Sequence, residues 1–375
     1  MAGLYIHIPF CRKACSYCDF HFVTNLTSRK AITEAIVREM ELRKNFLESC
    51  GSLRTIYWGG GTPSVLTESQ LGNIWEGIHR IYSLSQDVEV TLEANPDDLT
   101  EERLRFYKKL GINRLSIGIQ SFRSEELKWM NRSHSAAQAL SCVGMAQDVG
   151  ITNISVDLIF GTPHSDRIQW QEQVRTAIDL DIRHLAIYAL TVEEKTALSH
   201  WVKHERIQLP EDSLAALQFF DSHEILEAAG FAHYELSNYA QPGFKSQHNS
   251  AYWAGVPYLG LGPSAHSFKG TYRSSNIPNN AQYLKALSQG KVPTGYEENL
   301  NLEEQYHEYI MTQLRTAKGI SLTYILKNFN KDILASYNES IQEWIQAGYM
   351  VIEGNYHKLT PKGWWMSDGI IRSLF

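Results

Sequence analysis

Ile8-Pro9-Phe10-Cys11-Arg12-Lys13-Ala14-Cys15-Ser16-Tyr17-Cys18-Asp19-Phe20 carries three thiols at C-x3-C-x2-C spacing, directly behind the first apolar run of the chain. Three thiolates this close together in a reducing compartment read as a metal site. On a four-iron cluster they leave one iron open for a small-molecule ligand. Two plainer readings stand beside it: a structural zinc site completed by His7 or His21, and cysteines that only pack.

Outward from this run, the first 240 residues alternate β-rich runs with helical patterns at a spacing of about thirty-five residues, the signature of repeated βα units. The strand candidates are Leu4–Pro9, Thr55–Gly59, Val88–Ala94, Arg114–Gln120, Ile154–Phe160, His184–Ala189 and Ala232–Leu236. Amphipathic stretches such as Arg29–Phe46, Thr67–Ile81, Thr100–Leu110, Ala136–Val149, Trp170–Leu180 and Asp212–Ala229 lie between them. Six parallel units exceed a Rossmann half and fall short of a closed eightfold barrel. The fold class is therefore α/β, a partial (β/α)6 TIM-like barrel, whose chemistry gathers at the C-terminal ends of the strands. Cys11, the Gly59–Pro63 run, Glu93, Gln120 and Asp157 all fall there.

Residues 1–236 form this barrel in the reading. Over residues 237–295 periodicity is lost, and an irregular connecting segment is expected. Residues 296–375 read as helix, helix, helix and a hairpin about Gly354-Asn355, a winged-helix-like α+β domain. That stretch is not strongly basic, so packing or protein contact is favoured over DNA.

Composition narrows the class. In 375 residues, 43% hydrophobic and 20% charged content fits a globular chain, and a net charge of −6 argues against nucleic acid as a partner. Of five cysteines three cluster, while Cys50 and Cys142 stand apart in sequence, which is no secreted disulfide framework. No secretory signal or membrane span is read. A cytosolic protein is expected, with peripheral membrane contact and a homodimer left open.

Gly59-Gly60-Gly61-Thr62-Pro63 follows an apolar strand without a Walker or dinucleotide signature. Its glycines allow close backbone approach, and Thr62 with exposed amides can receive a carboxylate; a tight strand-to-loop turn is the plainer reading. Glu93 and Asp157 read as barrel-interior carboxylates in need of partners, with Arg132 a candidate, or as a structural ion-pair network. The cysteine triplet with Tyr17 and Phe20, together with the glycine run, resembles the radical S-adenosylmethionine (SAM) superfamily. The resemblance implies a [4Fe-4S] cluster on Cys11, Cys15 and Cys18, with the methionyl amine and carboxylate of SAM on the fourth iron.

Six segments narrow it: His7–Cys11, Tyr57–Pro63, Glu93–Pro96, Ser116–Phe122, Asn131-Arg132 and Val156–Pro163 are similar to the oxygen-independent coproporphyrinogen III dehydrogenase group. By that resemblance Tyr5, Gly60 and Glu93 contact the cluster-bound SAM, and Gly61, Thr62, Gln120, Arg132 and Asp157 line a second SAM position. Two departures point away from decarboxylation. The group's dehydrogenase has an extension ahead of its first strand and a further cysteine two positions after the cluster, where this chain has Phe20.

Both departures resemble the haem-chaperone branch, as does the His-Asn-x-x-Tyr-Trp motif His248-Asn249-Ser250-Ala251-Tyr252-Trp253. Imidazole is a common haem ligand, and Tyr252 and Trp253 offer flat faces for a macrocycle; a hydrogen-bonded structural histidine is the plainer reading. His248 is one candidate for the haem iron and His266 its rival. The resemblance thus implies haem as cargo, haem-donor and haem-acceptor proteins as partners, and SAM cleavage as an open question. The competing expectations are coproporphyrinogen decarboxylation and an iron–sulfur sensor without haem.

Overall fold

Alternation along six strands decides how the chain closes on itself. In the computed structural model, which describes residues 2–375, β1 (Ala2–Ile8) and β2 (Leu53–Gly60) pair in parallel with Tyr5 opposite Tyr57. β3 (Leu84–Ala94), β4 (Arg114–Gln120), β5 (Ile154–Phe160) and β6 (His184–Ala189) follow in order, each parallel to the last. One face of this sheet is apolar: Leu4, Ile6, Ile56, Trp58, Leu92, Leu115, Val156 and Leu185 are buried beneath helices. Burying each such side chain is worth about 1.5–3 kcal/mol. The other face carries Tyr5, Thr55, Tyr57, Glu89, Glu93, Ser116, Ser155, Asp157 and His184, a polar lumen.

The covering helices are α1 (Arg29–Leu42), α2 (Glu68–Ile81), α3 (Glu101–Leu110), α4 (Ser124–Trp129), α5 (Ala136–Asp148) and α6 (Arg167–Asp179). α7 (Ala197–Lys203) and α8 (Asp212–Ala228) complete the layer. Capping boxes open α2, α5 and α6, and Thr100 caps α3 through the Arg103 amide, as its acidic first turn predicts. The antiparallel hairpin of β7 (Ala232–Glu235) and β8 (Asn238–Ala240) ends the sheet beside β6.

The expected irregular segment at 237–295 is corrected by the structure. Beyond β8 it forms α9 (Gln247–Trp253), β9 (Tyr258–Leu261), β10 (His266–Lys269), β11 (Tyr272–Asn276) and α10 (Asn280–Ser288), and β12 (Thr294–Asn299) follows. β9 runs parallel to β1 on its free edge, and β10, β11 and β12 then add in turn, each antiparallel to the one before, giving the order β12-β11-β10-β9-β1-β2-β3-β4-β5-β6-β8-β7. The strands are four to six residues long, and β10 to β12 are largely polar, so pairing rather than periodicity defines them.

A buried carboxylate locks this extension down. Glu39 of α1 accepts from the Gly262 amide at 2.9 Å, Tyr283 Oη at 2.6 Å, Asn276 Nδ2 at 2.7 Å and Arg43 Nη1 at 3.2 Å. Arg43 in turn donates to Gly260 O and Ser267 Oγ. Removing one member would leave a buried charge unpaired.

The C-terminal part is α11 (Leu302–Leu314), β13 (Ile320–Ser321), α12 (Leu322–Phe329), α13 (Ile333–Gln346) and the hairpin of β14 (Met350–Glu353) and β15 (Tyr356–Leu359). Its sheet order is β13-β15-β14, the expected winged-helix-like arrangement, with Gly354 at φ +58° in the turn. α14 (Pro361–Trp365) and α15 (Ser367–Arg372) close the chain, and Trp364 Nε1 donates to Leu314 O at 3.0 Å.

Candidate functional site

Cys11, Cys15 and Cys18 lie on the loop that leaves β1 at the C-terminal end of the strands, and none forms a disulfide. The loop is pinned at its root: Cys11 N–H donates to Val23 O at 3.1 Å and Val23 N–H to Pro9 O at 3.0 Å. Thr62 Oγ1 donates to Cys11 Sγ at 3.3 Å, and Arg132 Nη1 donates to Cys15 Sγ at 3.4 Å. Burial pushes the Cys11 thiol up to about 12 and the Cys18 thiol up to about 11. Binding a cation here therefore displaces protons.

The donor set suits a cluster better than a single ion. Among the described residues no three His, Cys, Asp or Glu groups converge on one metal-ion position, whereas each iron of a four-iron cluster takes its own thiolate. Zinc completion by His7 or His21 is not what the geometry offers. His7 Nε2 donates to His21 O at 2.9 Å, which fixes the tautomer, and Nδ1 accepts from Tyr5 Oη at 3.1 Å; His21 Nε2 meets Asn280 Oδ1 at 2.9 Å. Beside Cys15, Arg132 Nε is buried with no hydrogen-bond partner among the described residues, donor capacity left for a ligand.

The glycine run works differently from the expectation of free amides. Gly61 N–H donates to Ile8 O at 2.9 Å and Gly60 N–H to Glu93 Oε2 at 3.2 Å. A Cβ on Gly60, at φ +105°, would lie 2.6 Å from the His7 ring, and one on Gly61 would lie 2.7 Å from Phe10 O. The run thus lets the end of β2 press against the root of the cysteine loop.

Glu93 also accepts from Tyr57 Oη at 2.8 Å. Burial pushes its carboxyl up to about 8 against that hydrogen bond, and the nearby Asp157 adds to the rise. Asp157 accepts from Ser116 Oγ at 3.1 Å and Ser155 Oγ at 3.4 Å, and burial lifts it to about 7. The expected ion pairing of Arg132 with these carboxylates is absent. Arg132 instead donates to Asn95 Oδ1 at 2.7 Å, to Gly118 O and to Cys15, because the loop after α4 aims it at the cysteines. Gln120 holds a left-handed φ of +67° at the end of β4, and its amide converges with Arg132 and Asn95 on the space above Gly118.

The His-Asn-x-x-Tyr-Trp motif forms α9, at the other end of the lumen. The Gln247 and His248 amides donate to Glu89 Oε2 and Oε1 at 3.1 and 3.0 Å, a buried carboxylate at a helix N-terminus. His248 is 1% exposed, with both ring nitrogens held by hydroxyls, Thr55 Oγ1 at 2.7 Å and Tyr252 Oη at 2.8 Å. Its ring stacks 5.0 Å from that of Tyr57 and stands above Gly3, whose missing side chain makes the room. Burial lowers it to about 3. In this structure the His248 imidazole is enclosed and has both ring nitrogens hydrogen-bonded, so ligation of haem iron would require one of these bonds to be given up. Asn249 belongs to the first turn through its amide to Ser246 Oγ, while Trp253 and Tyr252 border a cavity at the outer strands. His266 opens onto the same cavity.

Glu39 and Glu89 escaped the sequence reading. Glu39 interrupts an apolar stripe of Ile32, Ala35, Ile36 and Met40 on α1, and Glu89 takes an inward position on β3, the two signals that would have found them.

The Radical SAM superfamily matches residues 5–177 and the HemN C-terminal domain matches residues 300–366. "Heme chaperone HemW" of Bacillus subtilis is 33% identical over 97% of this chain and 96% of its own length. Its namesakes in Mycobacterium tuberculosis and Escherichia coli are 31% and 29% identical, covering 99% and 96% of this chain and 94% of their own. The solved coproporphyrinogen III oxidase (HemN) of Escherichia coli, 19% identical, superposes with a TM-score of 0.85 over 100% of this chain and 89% of that one. That likeness shows the shared fold.

Proposed function

We propose that this chain, which belongs to the heme chaperone HemW family of the radical SAM superfamily, binds haem and delivers it to acceptor haem proteins. The likeness to HemW over nearly the whole chain, cysteine loop and C-terminal domain included, carries this reading. Haem-donor proteins supply the cargo, and the reducing cytosol suits the cysteine loop.

In this reading Cys11, Cys15 and Cys18 hold a [4Fe-4S] cluster whose open iron takes SAM. When bound, the two supply one-electron chemistry at the sulfonium. Thr62 donates to the Cys11 sulfur and favours its thiolate, and Arg132 donates to the Cys15 sulfur. Glu93, whose carboxyl is raised to about 8 by burial, would accept a hydrogen bond from the methionyl amine of SAM, while Tyr57 and the Gly60 amide hold it in place. Tyr5 supplies a flat wall beside it, stacked on Tyr57 at 6.2 Å. Gly61, Thr62, Gln120, Arg132 and Asp157 would border a second SAM position close to the cysteine loop, where Thr62 and Arg132 already touch Cys11 and Cys15.

Cluster-reconstituted protein titrated with haem should develop a Soret band and then lose it to an added apo-haem protein. Anaerobic conversion of coproporphyrinogen III would overturn the chaperone reading in favour of the dehydrogenase. Absence of any Soret band would remove haem altogether.

A further inference from the structure

Between the outer strands and the C-terminal domain lies a cavity of about 1020 Å3, at the top of the range of roughly 300–1,000 Å3 typical of small-molecule and cofactor pockets. Cross-strand pairing sets Gly3, Tyr258, Phe268 and Arg273 in one row across four strands, so the inner face of the sheet continues outward from the lumen as the cavity wall. Tyr258 and Phe268 stack there at 6.4 Å, and Tyr252 meets Tyr258 edge-on at 4.5 Å. The C-terminal domain faces them with Tyr309 stacked on Tyr324 at 4.5 Å. These are flat apolar walls on two sides of one space.

Three side chains on this wall have chemistry left to spend. His266 is exposed to the cavity, and its imidazole takes no hydrogen bond or ion pair among the described residues. Lys245 and Lys318 lie over the rings of Tyr234 and Tyr356 at 5.3 and 5.9 Å, and neither is ion-paired among the described residues. Arg273, by contrast, is already held by Glu298 and Glu308. An imidazole without a hydrogen bond, planar walls and two cations without ion pairs line one cavity, and these are the groups that an iron porphyrin with two propionates would engage. An imidazole alone would suit many metals, and aromatic walls alone would suit many planar ligands; the combination selects a metallated, dianionic macrocycle.

We propose that haem seats in this cavity with His266 as the protein ligand to iron and Lys245 and Lys318 paired with the propionates. The inference rests on the haem-chaperone reading and assigns its site. His248, at the edge of the same aromatic row, then serves to position Tyr252 and through it the cavity wall.

The test compares wild type, His266→Ala, His248→Ala and the double variant Lys245→Glu/Lys318→Glu, all cluster-reconstituted. Haem is titrated by Soret absorbance, and iron-free protoporphyrin IX by fluorescence. His266→Ala should shift or abolish the haem Soret band while binding protoporphyrin IX within about twofold of wild type, since only the iron bond is lost. The lysine double variant should weaken both porphyrins by roughly tenfold or more, because two charge pairs are reversed. His248→Ala should keep the wild-type Soret position. An unchanged Soret position and affinity in His266→Ala overturns the ligand assignment, and unchanged affinity in the lysine variant overturns the propionate contacts. Wild type with no haem band at all defeats the chaperone reading itself, a different result from either. Should His266→Ala fail to fold, His266→Met replaces it and is expected to keep haem with a changed spectrum.

Discussion

At the C-terminal end of the strands, three cysteines ride an irregular loop, with Thr62 and Arg132 touching two of the sulfurs and coordinating capacity left over. At the N-terminal end, His248 is enclosed on a regular helix with both nitrogens engaged and its helix N-terminus docked on Glu89. Both regions look metal-binding in sequence. Residue type nominates a ligand in both regions, and what separates them in this structure is how much bonding capacity the nominated groups have left.

The sharpest way to break this contrast is Cys15→Ser, which should abolish the visible absorbance of the reconstituted cluster while leaving far-UV circular dichroism unchanged. Retained absorbance would place the cluster elsewhere. His248→Ala should do the reverse, destabilising the fold by roughly 2–4 kcal/mol through a cavity and two orphaned hydroxyls. Denaturant unfolding measures it; a wild-type midpoint combined with lost haem binding would make His248 a ligand after all.

Glu93→Gln sharpens the contrast through pH. The carboxyl titrates at about 8 in the fold against 4.5 as its ordinary value, so the unfolded chain ionises first as pH rises. Cluster-free wild type therefore loses stability between pH 4.5 and 8, by at most about 1.4 kcal/mol per pH unit from this group. The variant should lose that slope, and identical slopes in the two proteins would show Glu93 to be solvated. Smallest of all, Thr62→Val should leave cluster content intact and lower its reduction potential, since one hydrogen bond to sulfur is lost. Spectroelectrochemical titration reads this, and an unmoved potential would mean that the Cys11 contact is not kept in the loaded protein.

The barrel strands were legible because each puts β-branched and aliphatic residues on the helix-facing side with turn residues beyond, a pattern local to five or six positions. β9 to β12 were not. His266-Ser267-Phe268-Lys269 and Tyr272-Arg273-Ser274-Ser275-Asn276 carry little apolar signal, and their strand conformation depends on β1 and on Glu39, more than two hundred residues earlier. Likewise Cys11, Cys15, Cys18 and Glu93 announced themselves by spacing and position. The hydrogen bonding of His248 depends on which hydroxyls lie around it in the fold, which no local pattern encodes.

The pairing of β9 with β1 has a consequence for synthesis. β1 is made first, yet one of its two edges has no neighbour until residues 258–261 leave the ribosome. Throughout that interval the strand that carries the cysteine loop presents open amides and carbonyls, a template for wrong partners. A chain cut anywhere before residue 258 lacks the strand that covers this edge, so the segment that looks most dispensable in sequence is the one that closes off β1.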